Sequence, residues 1–296
     1  MYPSLTELSI RAAFPTIVEA LRACEVSAVE LSLSREMRVN AVDGGEPFVL
    51  DSPQEVERYR KHLEAHRVRP AGFLLGPAFS ADGEVTEGVE WIVRAVRAAE
   101  GLGMAAIRID SILIGDSREV SVSRRREIFV EGLLRVLEKT PESSIGLGIE
   151  NHGAGGNNLE FLEGVFEGVG SERIGSTMDM GNFYWSGLPL SEVYRVLERL
   201  APRTKHTHVK NIRYPEEMRE VQRPVGWEYG RYCCPLADGD IDLKRVIGFL
   251  KEAGYQGDLS VEDESLGRFP PEQRPEILKQ DAAFLKATLL EMGIPG

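Results

Sequence analysis

The chain has 296 residues, 42% hydrophobic and 28% charged, with a formal net charge of −12. That length fits one large α/β barrel or two ordinary domains. The acidic balance disfavours nucleic-acid partners, which want a basic footprint. No apolar run approaches the ~18 residues of a membrane span, and the N-terminus MYPSLTELSIRAAF lacks a signal-peptide pattern. Three scattered thiols, Cys24, Cys233 and Cys234, make neither a disulfide framework nor a zinc spacing, so a reducing cytoplasm is the simplest expectation.

Strand-like and helix-like segments alternate along the chain. The expected strands are Glu7–Ile10, Ala28–Ser34, Ala71–Leu75, Ala105–Asp110, Ile145–Glu150, Ile174–Asp179, His206–Val209 and Leu259–Glu262. Between them, Ser52-Pro53 opens a helix carrying Val56, Tyr59 and Leu63. Val193, Val196, Leu197 and Leu200 recur at helical spacing, as do Leu243, Val246, Ile247 and Leu250. Eight β-then-α units predict a single (β/α)8 TIM barrel spanning 1–296.

Strand parity selects the candidate site. In Ile145–Glu150 the bulky Ile145, Leu147 and Ile149 share one face, and Gly146, Gly148 and Glu150 share the other. Asp179, His208 and Glu262 end three further strands on the same inward parity. Taken singly, each has an ordinary explanation: a solvated glutamate, a turn aspartate, an interior histidine, a charge cluster. Four such residues at four matching strand ends predict one divalent-metal site. Carboxylate-rich ligation favours Mn2+ first, with Mg2+, Co2+ or Zn2+ as alternatives. Glu150 and Glu262 are also the candidate acid/base groups. Arg108, His152, Asn182, Lys210, Arg213 and Trp227 are the candidate substrate contacts. His206 reads as a second-layer or packing residue. His62 and His66, at i and i+4, read as a solvated helix face, and Gly153–Asn158 as a plain flexible loop. The stretch Asn211–Gly239, rich in Arg, Trp and Tyr, is long enough to be a substrate lid.

The chain resembles the xylose-isomerase-like TIM-barrel family, the sugar phosphate isomerases and epimerases. The resemblance rests on Ile149-Glu150-Asn151-His152, Asp179-Met180-Gly181-Asn182, His206-Thr207-His208-Val209-Lys210-Asn211 and Gly239-Asp240-Ile241-Asp242. It rests also on Gly254-Tyr255-Gln256-Gly257 leading into Asp258-Leu259-Ser260-Val261-Glu262, and on Val29-Glu30-Leu31 in the second strand. It implies one divalent ion on Glu150, Asp179, His208 and Glu262. It also implies a metal-dependent isomerase or epimerase of a small polyhydroxy carbonyl compound, working through proton abstraction and an enediolate. The alternatives are a dehydratase or β-eliminating lyase on a keto-sugar or inosose, and a non-catalytic sugar-binding barrel. A homo-oligomer is left open. Two positions depart from relatives in that family. Endonuclease IV and the ketose 3-epimerases tend to carry a histidine where this chain has Asn182, and the epimerases a glutamate where it has Gly156.

Overall fold

The computed structural model describes residues 1–115 and 120–294. Eight parallel strands close a barrel in sequential order: β1 (Tyr2–Thr6), β2 (Ala28–Ser32), β3 (Arg69–Pro77), β4 (Ala106–Asp110), β5 (Gly146–Glu150), β6 (Ile174–Asp179), β7 (Thr204–Val209) and β8 (Asp258–Val261). Among the described residues the longer helices are α1 (Glu7–Ala13), α2 (Ile17–Cys24), α3 (Pro53–His66), α4 (Thr86–Gly101), α5 (Val122–Lys139), α6 (Leu159–Val169), α7 (Leu190–Leu200), α8 (Leu243–Glu252) and α9 (Arg274–Glu291). None of them is long and apolar enough to cross a membrane.

One expected strand is wrong. Glu7–Ile10 lies in helix α1, and the first strand is the preceding Tyr2–Thr6. The polar/apolar alternation Glu7-Leu8-Ser9-Ile10 mimics a strand, but Leu8 is 47% exposed. The deciding signal is Thr6, whose hydroxyl accepts the Ser9 N–H at 3.2 Å and caps the helix, with Glu7 in the first turn. The other seven strands lie where the pattern puts them, within two residues at either end. Ser52 caps α3 with Pro53 at its first turn, and Val56, Tyr59 and Leu63 are buried.

The layering follows the parity. Ile107, Ile109, Leu147 and Ile149 are fully buried between the sheet and the outer helices, while the opposite faces carry small or polar groups into the lumen. Gly148 is small for a reason. A Cβ there would lie 2.4 Å from Thr177 Oγ1 and 2.9 Å from its backbone nitrogen. Thr177 Oγ1 donates to Gly148 O at 3.0 Å. We expect Gly148→Ala to destabilise by about 1–3 kcal/mol, the usual cost of overpacking. Urea unfolding measures it; an unchanged midpoint would mean that β5 and β6 can separate freely.

Asn211–Gly239 is folded rather than loose. Asn211–Ile212 pairs antiparallel with Cys233–Cys234, tying both ends together. Between them, Arg223 is buried. Its guanidinium sits 4.5 Å from the Tyr184 ring and 4.3 Å from the Tyr214 ring. It donates to the carbonyls of Tyr184 (3.1 Å), Leu188 (2.8 Å) and Val221 (3.1 Å). Cys24, Cys233 and Cys234 are buried free thiols. Gly153–Gly156 forms a helical turn, not a loop, and Gly156 packs against Ser111 so closely that a Cβ would meet Oγ at 1.8 Å.

Candidate metal centre

The barrel register brings the strand ends together. Asp179 pairs with His208 across β6 and β7, and Ser260 pairs with His208 across β7 and β8. Glu262 follows β8, its N–H donating to Val209 O at 2.9 Å. One ligand atom from each of Glu150, Asp179, His208 and Glu262 lies within 4.8 Å of the others, and all four residues are buried. His208 Nδ1 faces Glu150 Oε1 at 3.0 Å, Glu262 Oε2 at 3.6 Å and Asp179 Oδ2 at 4.0 Å.

The donor chemistry fits a divalent ion. Asp179 Oδ1 accepts the N–H groups of Gly181 (2.8 Å) and Asn182 (2.7 Å), so one oxygen does cap the turn. The other, Oδ2, is buried without a hydrogen bond, though Lys210 Nζ stands 3.0 Å away. Three carboxylates and an imidazole converging here are a donor set that a divalent ion could fill, with the Lys210 ammonium beside it. Burial pushes the Asp179 carboxyl up to about 7, with the charges of Glu262 and Glu150 adding to it against Lys210. An ion there would return it to the ionised form.

Beneath the four residues runs a second polar layer. His208 Nε2 meets Glu30 Oε1 at 2.9 Å, and the same oxygen meets His206 Nε2 at 2.7 Å. His206 Nδ1 then meets Asp258 Oδ1 at 2.7 Å, and Asp258 accepts from Ser260 and Tyr255. This arrangement turns Nδ1 of His208 toward the carboxylates, the usual service of an outer carboxylate to a ligating histidine. Burial would lower the His206 pKa, but Asp258 and Glu30 outweigh it and raise it to about 9. His206 thus reaches His208 through Glu30, one contact behind the four residues. Glu30 went unassigned a role; its signal was a lone charge between Val29 and Leu31 in an apolar strand.

Arg108 spends its donors on the protein. Nε donates to Glu150 Oε2 at 2.6 Å, Nη2 pairs with the same carboxylate, and Nη1 reaches Asp110 Oδ2 at 3.2 Å. Burial works against the charged form of Glu150, yet Arg108 and His208 hold its carboxyl well below the usual range. Asn182 Nδ2 lies 3.4 Å from Glu150 Oε1. His152 is 38% exposed at its side chain, and its Nδ1 is 3.0 Å from Asp110 Oδ1. Burial lowers its pKa, but the hydrogen bond to Asp110 and the charges of Glu150 and Asp110 raise it overall. Lys210 Nζ also contacts Glu262 (3.1 Å) and Glu264 (3.2 Å), and Tyr229 hydrogen-bonds Glu264. Trp227 stacks on Tyr232 within the Asn211–Gly239 segment, and the Arg213 side chain is exposed. A cleft of about 780 Å³ is lined among others by Ile112, Arg125, Gly153, Asn158 and Val225.

Comparison with known proteins agrees with this architecture. The chain is 25% identical over 154 residues to inosose dehydratase of Geobacillus thermodenitrificans, covering 50% of each sequence. The chain thus spans about half the length of the curated relatives it matches. Among solved structures, the IolI protein with a bound zinc atom superposes with a TM-score of 0.68 at 14% identity, over 96% of this chain and 98% of that one. A D-psicose 3-epimerase crystallised in the presence of D-fructose gives 0.68 at 13% identity, over 98% and 99%. Those two likenesses show the fold. The family model for the xylose isomerase-like TIM barrel matches residues 18–288, nearly the whole barrel, and the chain belongs to that family.

Proposed function

We propose that this protein is a divalent-metal-dependent dehydratase of a small polyhydroxy carbonyl compound, a keto-sugar or an inosose. The observation that carries this reading is the inequality of the two glutamates. Both oxygens of Glu150 are committed, Oε2 to Arg108 and Oε1 to His208 and Asn182. Glu262 has only Lys210 as a hydrogen-bond partner to its carboxylate among the described residues. A two-base epimerisation needs a proton carrier on each face of the substrate; an elimination needs one base and one acid. The sequence likeness to inosose dehydratases, and the absence of the epimerase-type residues at Asn182 and Gly156, favour the same reading.

Glu150, Asp179, His208 and Glu262 would hold the ion, which when bound would act as a Lewis acid toward the substrate carbonyl oxygen. Glu262 takes the proton from the carbon beside the carbonyl. Lys210 holds the Glu262 carboxylate in place and offers an ammonium to substrate oxygens. His152, oriented by Asp110, gives a proton to the hydroxyl leaving the β-carbon, so that one water is lost and a conjugated carbonyl product forms. Arg108 fixes Glu150 and keeps it anionic. Ligand softness favours Mn2+, and Zn2+ is the ion of the IolI neighbour.

The test is incubation of the Mn2+-loaded enzyme with candidate keto-sugars and inososes in D2O. Release of water with growth of a conjugated-carbonyl absorbance is the expected result. Deuterium in an isomeric product would replace dehydration by isomerisation, with both glutamates as carriers. Binding with no exchange at any carbon would leave a sugar-binding barrel.

A further inference from the structure

Away from the barrel axis, α3 presents His62 and His66 one turn apart, their ring centroids 4.8 Å from each other. After β2, Arg38–Val39 pairs antiparallel with Phe48–Val49, and this hairpin brings Asp43 against them. Asp43 Oδ1 is 3.7 Å from His62 Nε2, and Oδ2 is 3.5 Å from His66 Nε2. One ligand atom of each residue lies within 4.8 Å of the other two. As hydrogen bonds these separations are too long. They are close to the ~3.4 Å edge of a tetrahedron whose bonds from a central ion are ~2.1 Å. The solvated-face reading of the histidine pair took no account of Asp43, which is 19 residues upstream of His62 and invisible to helical spacing.

Asp43 and His62 are held in place by hydrogen bonds. Asp43 Oδ1 accepts the Gly45 N–H at 3.0 Å around a turn in which Gly44 has φ +84°. Tyr59, on the same helix, donates to Asn40 O at 3.0 Å, fixing the hairpin to α3. His62 Nε2 accepts the Val42 N–H at 3.2 Å, so its proton sits on Nδ1 and the ring is neutral, as a metal ligand must be. Burial lowers the His62 pKa in the same sense. The Val42 amide is then the competitor an ion displaces. His66 makes no hydrogen bond among the described residues and is partly open to solvent.

We propose that Asp43, His62 and His66 bind one divalent ion of the Zn2+ class, with water completing the coordination, and that this ion pins residues 40–46 to α3. Two imidazoles and one carboxylate are a normal Zn2+ set. The role is structural. A zinc hydrolase helix places its glutamate directly after the first histidine; here that position is Leu63, which is buried, and Glu64 pairs with Arg60. The site is independent of the barrel centre.

The probe is Zn2+ itself, added to chelator-stripped protein. Carbethoxylation of His66, located by peptide mass mapping, should be blocked by Zn2+ in the wild type. In Asp43→Asn, which keeps the side-chain shape, the protecting Zn2+ concentration should rise at least about tenfold, as loss of a ligand costs no less than loss of an outer-shell partner. Metal analysis after dialysis against Zn2+ should find one ion fewer in His66→Ala than in the wild type, whatever the barrel centre holds. Modification of His66 indifferent to Zn2+, or equal Zn2+ content in wild type and His66→Ala, would overturn the proposal.

Discussion

Glu262→Gln is expected to cut turnover by ~10²-fold or more while the barrel stays folded, the range for loss of a general base. The side chain is nearly isosteric, so a large effect cannot come from repacking. Its carboxylate oxygen Oε2 lies 3.1 Å from Lys210 Nζ and 3.6 Å from His208 Nδ1. Glutamine keeps one oxygen for those contacts and loses the ability to take a proton. It is also a poorer anionic ligand, so the assay runs at saturating Mn2+ with occupancy measured on the same sample. Glu150→Gln differs in kind: it leaves the buried Arg108 guanidinium with Asp110 as its remaining carboxylate partner, and its first consequence is lost metal occupancy and stability. A metal-loaded Glu262→Gln enzyme with wild-type turnover would remove Glu262 as the base.

The second large effect concerns stability. Asp263, just after β8, and Asp281 on α9 each bury an oxygen that has no hydrogen-bond partner. Asp281 Oδ1 accepts the Leu236 N–H at 2.7 Å, and Asp263 Oδ1 accepts from Ser265 N at 2.7 Å. Burial, then the neighbouring Asp263 charge, push the Asp281 carboxyl up to about 9. The folded protein therefore keeps a proton that the unfolded chain, at an aspartate's ~3.9, releases. Stability should fall as pH rises from ~4 toward ~9, by at most ~1.4 kcal/mol per pH unit. Asp281→Asn retains an acceptor for Leu236 and offers Asp263 a donor without needing a proton. It should be more stable than wild type at pH 8 by ~2 kcal/mol, with the gain shrinking toward pH 4. Urea unfolding at pH 5 and pH 8 decides this; the wild-type pH slope persisting in the variant would show that the proton resides elsewhere.

What could be read from the chain depended on the range of the interaction. Gly146-Leu147-Gly148-Ile149-Glu150 states its strand, its inner face and its terminal carboxylate locally, and the same holds for β6 to β8. The helix starting at Glu7 was misread because four residues satisfy a period of two as well as a capped turn. The Arg108 clamp on Glu150, the contact of Glu30 with both His206 and His208, and the Asp263–Asp281 pair were out of reach. They join residues from 18 to 178 positions apart, whose meeting is fixed only once the barrel closes. The inward parity that makes Arg108 a candidate substrate contact does not by itself reveal its partner Glu150 on β5.

The buried Arg223 constrains how the segment between β7 and α8 can move. One guanidinium anchors residues 218–223 to the turn after β6, and the Ile212–Cys233 pairing anchors the far side. Between these posts lies the tip, residues 224–232, which carries Trp227 and Tyr229 and is held by the Gly226 N–H donating to Trp185 O at 2.9 Å. Exchanging this tip would therefore be a modular change: nine residues between two fixed posts, with strands β5 to β8 outside the graft.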